Sequence, residues 1–134
     1  MKHKITMLCA LVLAFGLACG GGKYGDVKDA LNDLIAMQED YITAIQGAQN
    51  AGDVAKAINK YTDKFLQIKP RLESFEQKYP ELKTQKEPPA ELKDSFERLT
   101  RSAEKLATAS FSLMKYLGDP EVQKATERLK ELGK

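Results

Sequence analysis

From residue 27 onward the apolar positions step along the chain by alternating threes and fours. One stripe runs Val27, Leu31, Leu34, Gln38, Tyr41, Ile45 and Ala48, and a second runs Val54, Ile58, Tyr61, Phe65, Ile68, Leu72, Phe75 and Tyr79. A third holds Leu92, Phe96, Leu99, Ala103, Leu106, Ser110, Leu113 and Leu117, and a short last one holds Val122, Ala125, Leu129 and Leu132. Such spacing gathers apolar side chains on one face of an α-helix and leaves the charged ones opposite. No segment shows the period-two alternation of a strand.

Gly-Asp pairs stand at 25–26, 52–53 and 118–119. Glycine suits the end of a helix, aspartate caps the free N–H groups at a start, and Pro120 fits a first helical position. These marks predict an all-α fold of three helices of about 25 to 28 residues, each ~37 to 42 Å long, and a C-terminal helix of about 13 residues. The links at Gly52 and Gly118 are short, so neighbours are expected to pack as an antiparallel up-down bundle. Pro80 to Pro89, with three prolines in ten residues, reads as a loop.

Four features inside this pattern bear on function. Pro70 interrupts the second stripe without changing its phase, so one bent helix is expected there. Its bend either curves the helix round its neighbours or opens a cleft. Tyr41, Tyr61, Phe65, Phe75, Tyr79 and Phe96 lie on the inner stripes and read as core, with a small-molecule pocket as the alternative. Lys56, Lys60 and Lys64 form a basic ridge, which is expected to face the acidic first helix (Asp26, Asp29, Asp33, Glu39, Asp40). Asp94 with Arg98, and Glu97 with Arg101, have favourable i,i+4 spacing for surface pairs.

Composition removes several kinds of chemistry. The chain has 134 residues, with 21 basic and 19 acidic side chains. Lys2, His3, Lys4 and the apolar run Ile5 to Ala18 have the form of a signal peptide, too short to span a bilayer. Without residues 1–18 the basic and acidic counts are equal, so nothing draws the chain to nucleic acid. His3 is the sole histidine, and Cys9 leaves with it. A mature chain with no histidine and one cysteine has no His-based triad, Cys/His zinc site or histidine-ligated haem. We expect no catalytic residues, no metal and no cofactor.

The segment Gly16-Leu17-Ala18-Cys19-Gly20-Gly21-Gly22 resembles the lipobox of bacterial lipoproteins. That resemblance implies that Cys19 becomes the first mature residue and carries the lipid. Gly16 stands where the family usually has leucine. Gly16 and Ala18 also have the small-x-small spacing of an ordinary secretory cleavage site, which would release a soluble periplasmic or secreted protein. The mature part is similar in style to small helical envelope lipoproteins of unassigned role, through its heptads and its Tyr79-Pro80-Glu81-Leu82 helix end.

The expected organisation is a signal peptide (1–18), a lipidated cysteine with a glycine-rich tether (19–25) and a helical bundle (26–134). The resemblance places the protein in the cell envelope. In a cell with two membranes, Gly20 after the cysteine, rather than Asp, resembles lipoproteins sent on to the outer membrane, which implies its periplasmic face. The expected role is a non-catalytic envelope protein held to the membrane by acyl chains on Cys19, binding another envelope component through a helix face. The alternative is a carrier or sensor of a small apolar ligand between the helices.

Overall fold

The computed structural model describes residues 22–133; the leader, Cys19 and the first tether glycines lie outside the described residues. All regular structure among the described residues is helical: α1 (Gly25–Gly47), α2 (Ala51–Lys78), the single turn α3 (Glu81–Thr84), α4 (Lys93–Ser110) and α5 (Pro120–Lys130). Short 3-10 segments at Ala90–Leu92, Phe111–Tyr116 and Glu131–Gly133 precede or follow the helices.

The third Gly-Asp mark acts as expected: the Asp119 side chain accepts from the Glu121 N–H at 2.9 Å with Pro120 at the first turn. The first locates a helix start without capping it, since α1 begins at Gly25, Tyr24 holds the cap position with no side-chain bond, and Asp26 lies inside the first turn. The second mark misplaces the start of α2. Asn50 is the cap, accepting from the Asp53 N–H at 2.9 Å, while Asp53 accepts from the Gln49 N–H and the Asn50 amide, each at 3.1 Å. This reciprocal arrangement satisfies several free donors at once and draws Gly52 inside the helix. Pro70 lies in the interior of α2, which continues through it to Lys78.

Helix α1 is the element on which the others are mounted, for it packs against both α2 and α4, while α5 packs on α2. Contact on two sides widens its buried face beyond the expected stripe. Ala30, Ile35, Met37 and Ile42 are buried, whereas Leu34, Gln38 and Ala48 are only half-buried. Along the rim of the α1–α2 seam run Asp26–Lys78 (2.5 Å), Asp33–Arg71 (2.6 Å) and Asp40–Lys64 (2.5 Å). Each heptad step forward on α1 is met by one backward on α2, so these two helices run in opposite directions. Of the basic ridge, only Lys64 is paired with α1.

The α4 face differs from expectation by one residue at every second stripe position. Its buried residues are Ser95, Ser102 and Ala109, preceded by buried Leu92 and flanked by half-buried Leu99 and Leu106, which lie where the stripe predicts. Ser95, Ser102 and Ala109 thus take the places assigned to Phe96, Ala103 and Ser110. Small side chains let the backbones of α1 and α4 approach, and a phenylalanine at that seam would hold them apart. Phe96 is left 37% exposed. The Asp94–Arg98 and Glu97–Arg101 pairs are not formed; Arg98 donates instead to the Asn32 side chain on α1 at 3.1 Å. The α4 helix also ends early, at Ser110, and its stripe continues as a 3-10 segment.

Two apolar clusters result. One joins Tyr24, Val27, Leu31, Tyr79 and Leu92 near the start of α1. The other joins Tyr41, Ile42, Ile45, Val54, Ile58, Ala109, Val122 and Ala125 near its end. Leu92 is fully buried, so Leu92→Ala is expected to lower unfolding free energy by about 2 to 5 kcal/mol in urea denaturation. Ser102 Oγ is buried and has no partner among the described residues. Ser102→Ala, measured the same way, is therefore expected to stabilise by up to ~1 kcal/mol, since it removes a desolvated hydroxyl at nearly constant volume.

Candidate functional site

Three places stand out at the two ends and in the middle of the bundle. At the start of α1, Gly22 has φ +66°, a left-handed conformation that glycine alone adopts freely. Lys23 follows, and its ammonium lies 2.6 Å from Glu81 Oε1. The Tyr24 hydroxyl donates to the same carboxylate at 3.0 Å, and the Tyr79 hydroxyl lies 2.8 Å from Asp26 Oδ1 and 2.9 Å from the Lys23 carbonyl. The Tyr24 and Tyr79 rings are 5.1 Å apart. This clasp fastens the beginning of the folded body to the α2–α3 turn.

The opposite end is apolar. A 3-10 helix has three residues per turn, so residues three apart lie one above another. In Phe111–Tyr116 and the residue after it, Leu113 and Tyr116 pack against the core, while Phe111, Met114 and Leu117 line up on the outside. They are 72%, 64% and 48% exposed. Leu117 had been expected in the core. The stripe steps by three from Leu113 to Tyr116, not by four to Leu117, just as it steps from Leu92 to Ser95. The stripes do not single out Phe111 and Met114, and that is their signal: both are large apolar residues lying off every stripe.

Between these ends is a pocket of about 380 Å³, lined by Tyr41 of α1, Tyr61 and Phe65 of α2, Leu106 and Ser110 of α4, and Leu129, Leu132 and Gly133 of the C-terminal segment. The Tyr41 and Tyr61 rings lie 5.0 Å apart and tilted by 51°. The pocket opens between α1, α2, α4 and the C-terminal segment. Glu121 lies beside Gly52, Arg128 reaches Asn59 at 3.2 Å and Asp63, and the Leu132 carbonyl accepts from Lys69 at 3.5 Å, so α5 and the turn after it run alongside the stretch of α2 that holds Tyr61 and Phe65. Two wider grooves carry charge instead. One of about 830 Å³ lies between Leu82–Pro89 and α4 and holds Phe96; one of about 760 Å³ gathers Lys56, Lys60, Lys124 and Arg128 beside Asp63 and Glu121.

Among the described residues, no three His, Cys, Asp or Glu side chains are grouped so that they could hold a metal, and no helix is long and apolar enough to cross a membrane. Cys19 lies outside the described residues. No protein-family model, curated protein or solved structure matches the chain.

The ionisable groups predict how the body responds to pH. Lys78 holds the Asp26 carboxyl below its ordinary range against the opposing effect of burial, with Tyr79 assisting, and Lys64 does the same for Asp40. Lys23, the Glu81 backbone N–H and Tyr24 hold Glu81 down to about 2. Folded values below the unfolded ones mean stabilisation that is full above about pH 5 and lost as the pH falls through 4 toward 2. Screening by water keeps each contribution small. The melting temperature should be level from pH 7 to about 5 and decline below. At the alkaline side, burial pushes the Tyr41 hydroxyl up to about 12. Its stabilisation is complete below about pH 10, where an unfolded tyrosine begins to ionise, and fades toward 12. Tyr41→Phe should make alkaline unfolding, followed by circular dichroism, begin at higher pH than in the parent protein.

Proposed function

We propose that this protein is a non-catalytic, lipid-anchored component of the cell envelope that docks another envelope protein through its Phe111–Met114–Leu117 ridge. The observation carrying the proposal is the exposure of that ridge. Three large apolar side chains held in line on an ordered turn cost free energy in water and are suited to anchoring a partner surface.

The ridge is at the right end of the molecule for this task. Cys19 precedes Lys23 by four residues, so acyl chains on it would lie within ~14 Å of the Lys23 clasp. From Tyr24 to Ile45 is about 21 residues of α1, or ~32 Å of helix, which sets the ridge away from the bilayer. The body is read as an antiparallel up-down bundle with a short fourth helix, a stiff spacer between anchor and ridge. The opposed order of the ion pairs on α1 and α2 supports this. The proposed location is the periplasmic face of the outer membrane. Cleavage without lipidation would give a soluble form with the same ridge.

A photo-crosslinking residue in place of Met114, used in intact cells, tests the docking role. The expected result is a reproducible adduct with one protein, reduced at least about tenfold by Phe111→Ser and unaffected by Phe96→Ser at the other exposed phenylalanine. An adduct that is absent, or indifferent to Phe111, would overturn the role. The intact mass of the extracted protein tests the anchor separately, because the proposal requires a chain beginning at Cys19 with acyl mass attached.

A further inference from the structure

The pocket where all four principal helices meet has walls of one character. Tyr41, Tyr61, Phe65, Leu106, Leu129 and Leu132 supply them, and among the described residues no charged side chain lines it. Its polar side-chain groups are hydroxyls, and the Ser110 hydroxyl is already committed, donating to the Leu106 carbonyl at 2.8 Å. We propose that this pocket is a binding site for a neutral, largely apolar small molecule of two to three ring-sized units.

Size and charge both lead to that class. An apolar cavity of about 150 Å³ is known to accept one benzene, so about 380 Å³ has room for two to three such units. It also falls in the ordinary range for small-molecule sites. An ionised ligand would lose part of its hydration here with no charged side chain among the described lining residues to offset the cost, so a neutral ligand is favoured. The tilted Tyr41–Tyr61 pair offers a ring edge and a ring face at 5.0 Å, the arrangement that aromatic ligands extend. Tyr61, Phe65, Leu106, Leu129 and Leu132 are all only half-buried, so an occupant would complete their burial.

The inference stands apart from the docking role, since it concerns different residues and is read without any partner. The test compares two dyes of one skeleton on the purified mature protein. N-phenyl-1-naphthylamine is neutral, and 8-anilino-1-naphthalenesulfonate adds a single negative charge. The neutral dye is expected to bind saturably at one site per chain, with the sulfonate at least about tenfold weaker. Leu132→Trp, which fills the pocket from the end of the chain without opening the core, should weaken the neutral dye by a similar factor. Ser110→Leu fills it from α4 and serves as the second variant. Phe111→Ser should leave binding unchanged, showing that the dye is not held by the exposed ridge. Absence of saturable binding, equal affinity for the two dyes, or loss in Phe111→Ser with retention in both filled variants would overturn the site.

Discussion

Everything in this structure depends on α1 being buried from two sides. A helix with one neighbour needs an apolar stripe about a hundred degrees wide. Helix α1 has neighbours on both flanks, so it buries Ala30, Ile35, Met37 and Ile42 in addition to Val27, Leu31, Tyr41 and Ile45. The two seams differ in kind. Toward α2 the contact is bordered by a heptad ladder of opposite charges, whose worth lies less in stability than in fixing direction and register, because a shift by one residue would misalign every pair. Toward α4 the contact is closed by Ser95, Ser102 and Ala109, whose small size permits close approach.

The features proposed as functional follow from that choice of faces. Once Ser95, Ser102 and Ala109 face α1, the larger Phe96 and Leu117 must lie outside, and the alternative register that would bury them is lost. The segment Phe111–Tyr116 keeps Leu113 and Tyr116 inward and thereby turns Phe111 and Met114 outward as well. The chain then reverses at Gly118, and α5 with the 3-10 turn after it returns along α2 to Lys69. The pocket is left where Leu129 and Leu132 of that returning segment face Tyr61, Phe65 and Leu106 without closing on them.

Much of the fold was legible in the sequence. The helical class, the span of the second stripe and the Asp119–Pro120 start are all local properties, written in the periodicity and capping chemistry of a few adjacent residues. Every position of the second stripe is buried or half-buried. The first and third stripes were less legible because a pattern of threes and fours does not say how many neighbours a helix has. On α4, Leu92 can be followed equally well by Ser95 or Phe96, and hydrophobicity alone favours the phenylalanine. Only the close approach of α1 selects the serine. The Asn50 cap was overlooked for a related reason: Gly52-Asp53 looked like a start, whereas Asp53 is the third residue of a cap that begins at Asn50. The pocket was legible only as the alternative to a closed core: Tyr41, Tyr61 and Phe65 are on its wall, but Leu106, Leu129 and Leu132 join them only through the packing of four elements.

The two ends of the body also differ in how they resist change, and this bears on any role that places the molecule between two surfaces. Near Lys23 the clasp consists of a lysine, two tyrosines and two carboxylates, each with a partner on another element. Pulling on the chain ahead of Lys23 would load that network, with Lys23–Glu81 and the Tyr79 hydroxyl carrying the strain before α1 itself. At the far end, by contrast, the ridge depends on the inward packing of Leu113 and Tyr116, whose contacts belong to the same core as Ile42, Ile45 and Val122. A load at the first end is therefore met by surface ion pairs and by two tyrosine rings that belong to the apolar cluster of Val27, Leu31 and Leu92. A partner at the second end would be held by side chains backed directly by the interior. Both ends are thus backed by an apolar cluster, and because α1 contributes Val27 and Leu31 to one and Tyr41, Ile42 and Ile45 to the other, it is the element through which a load at one end would reach the other.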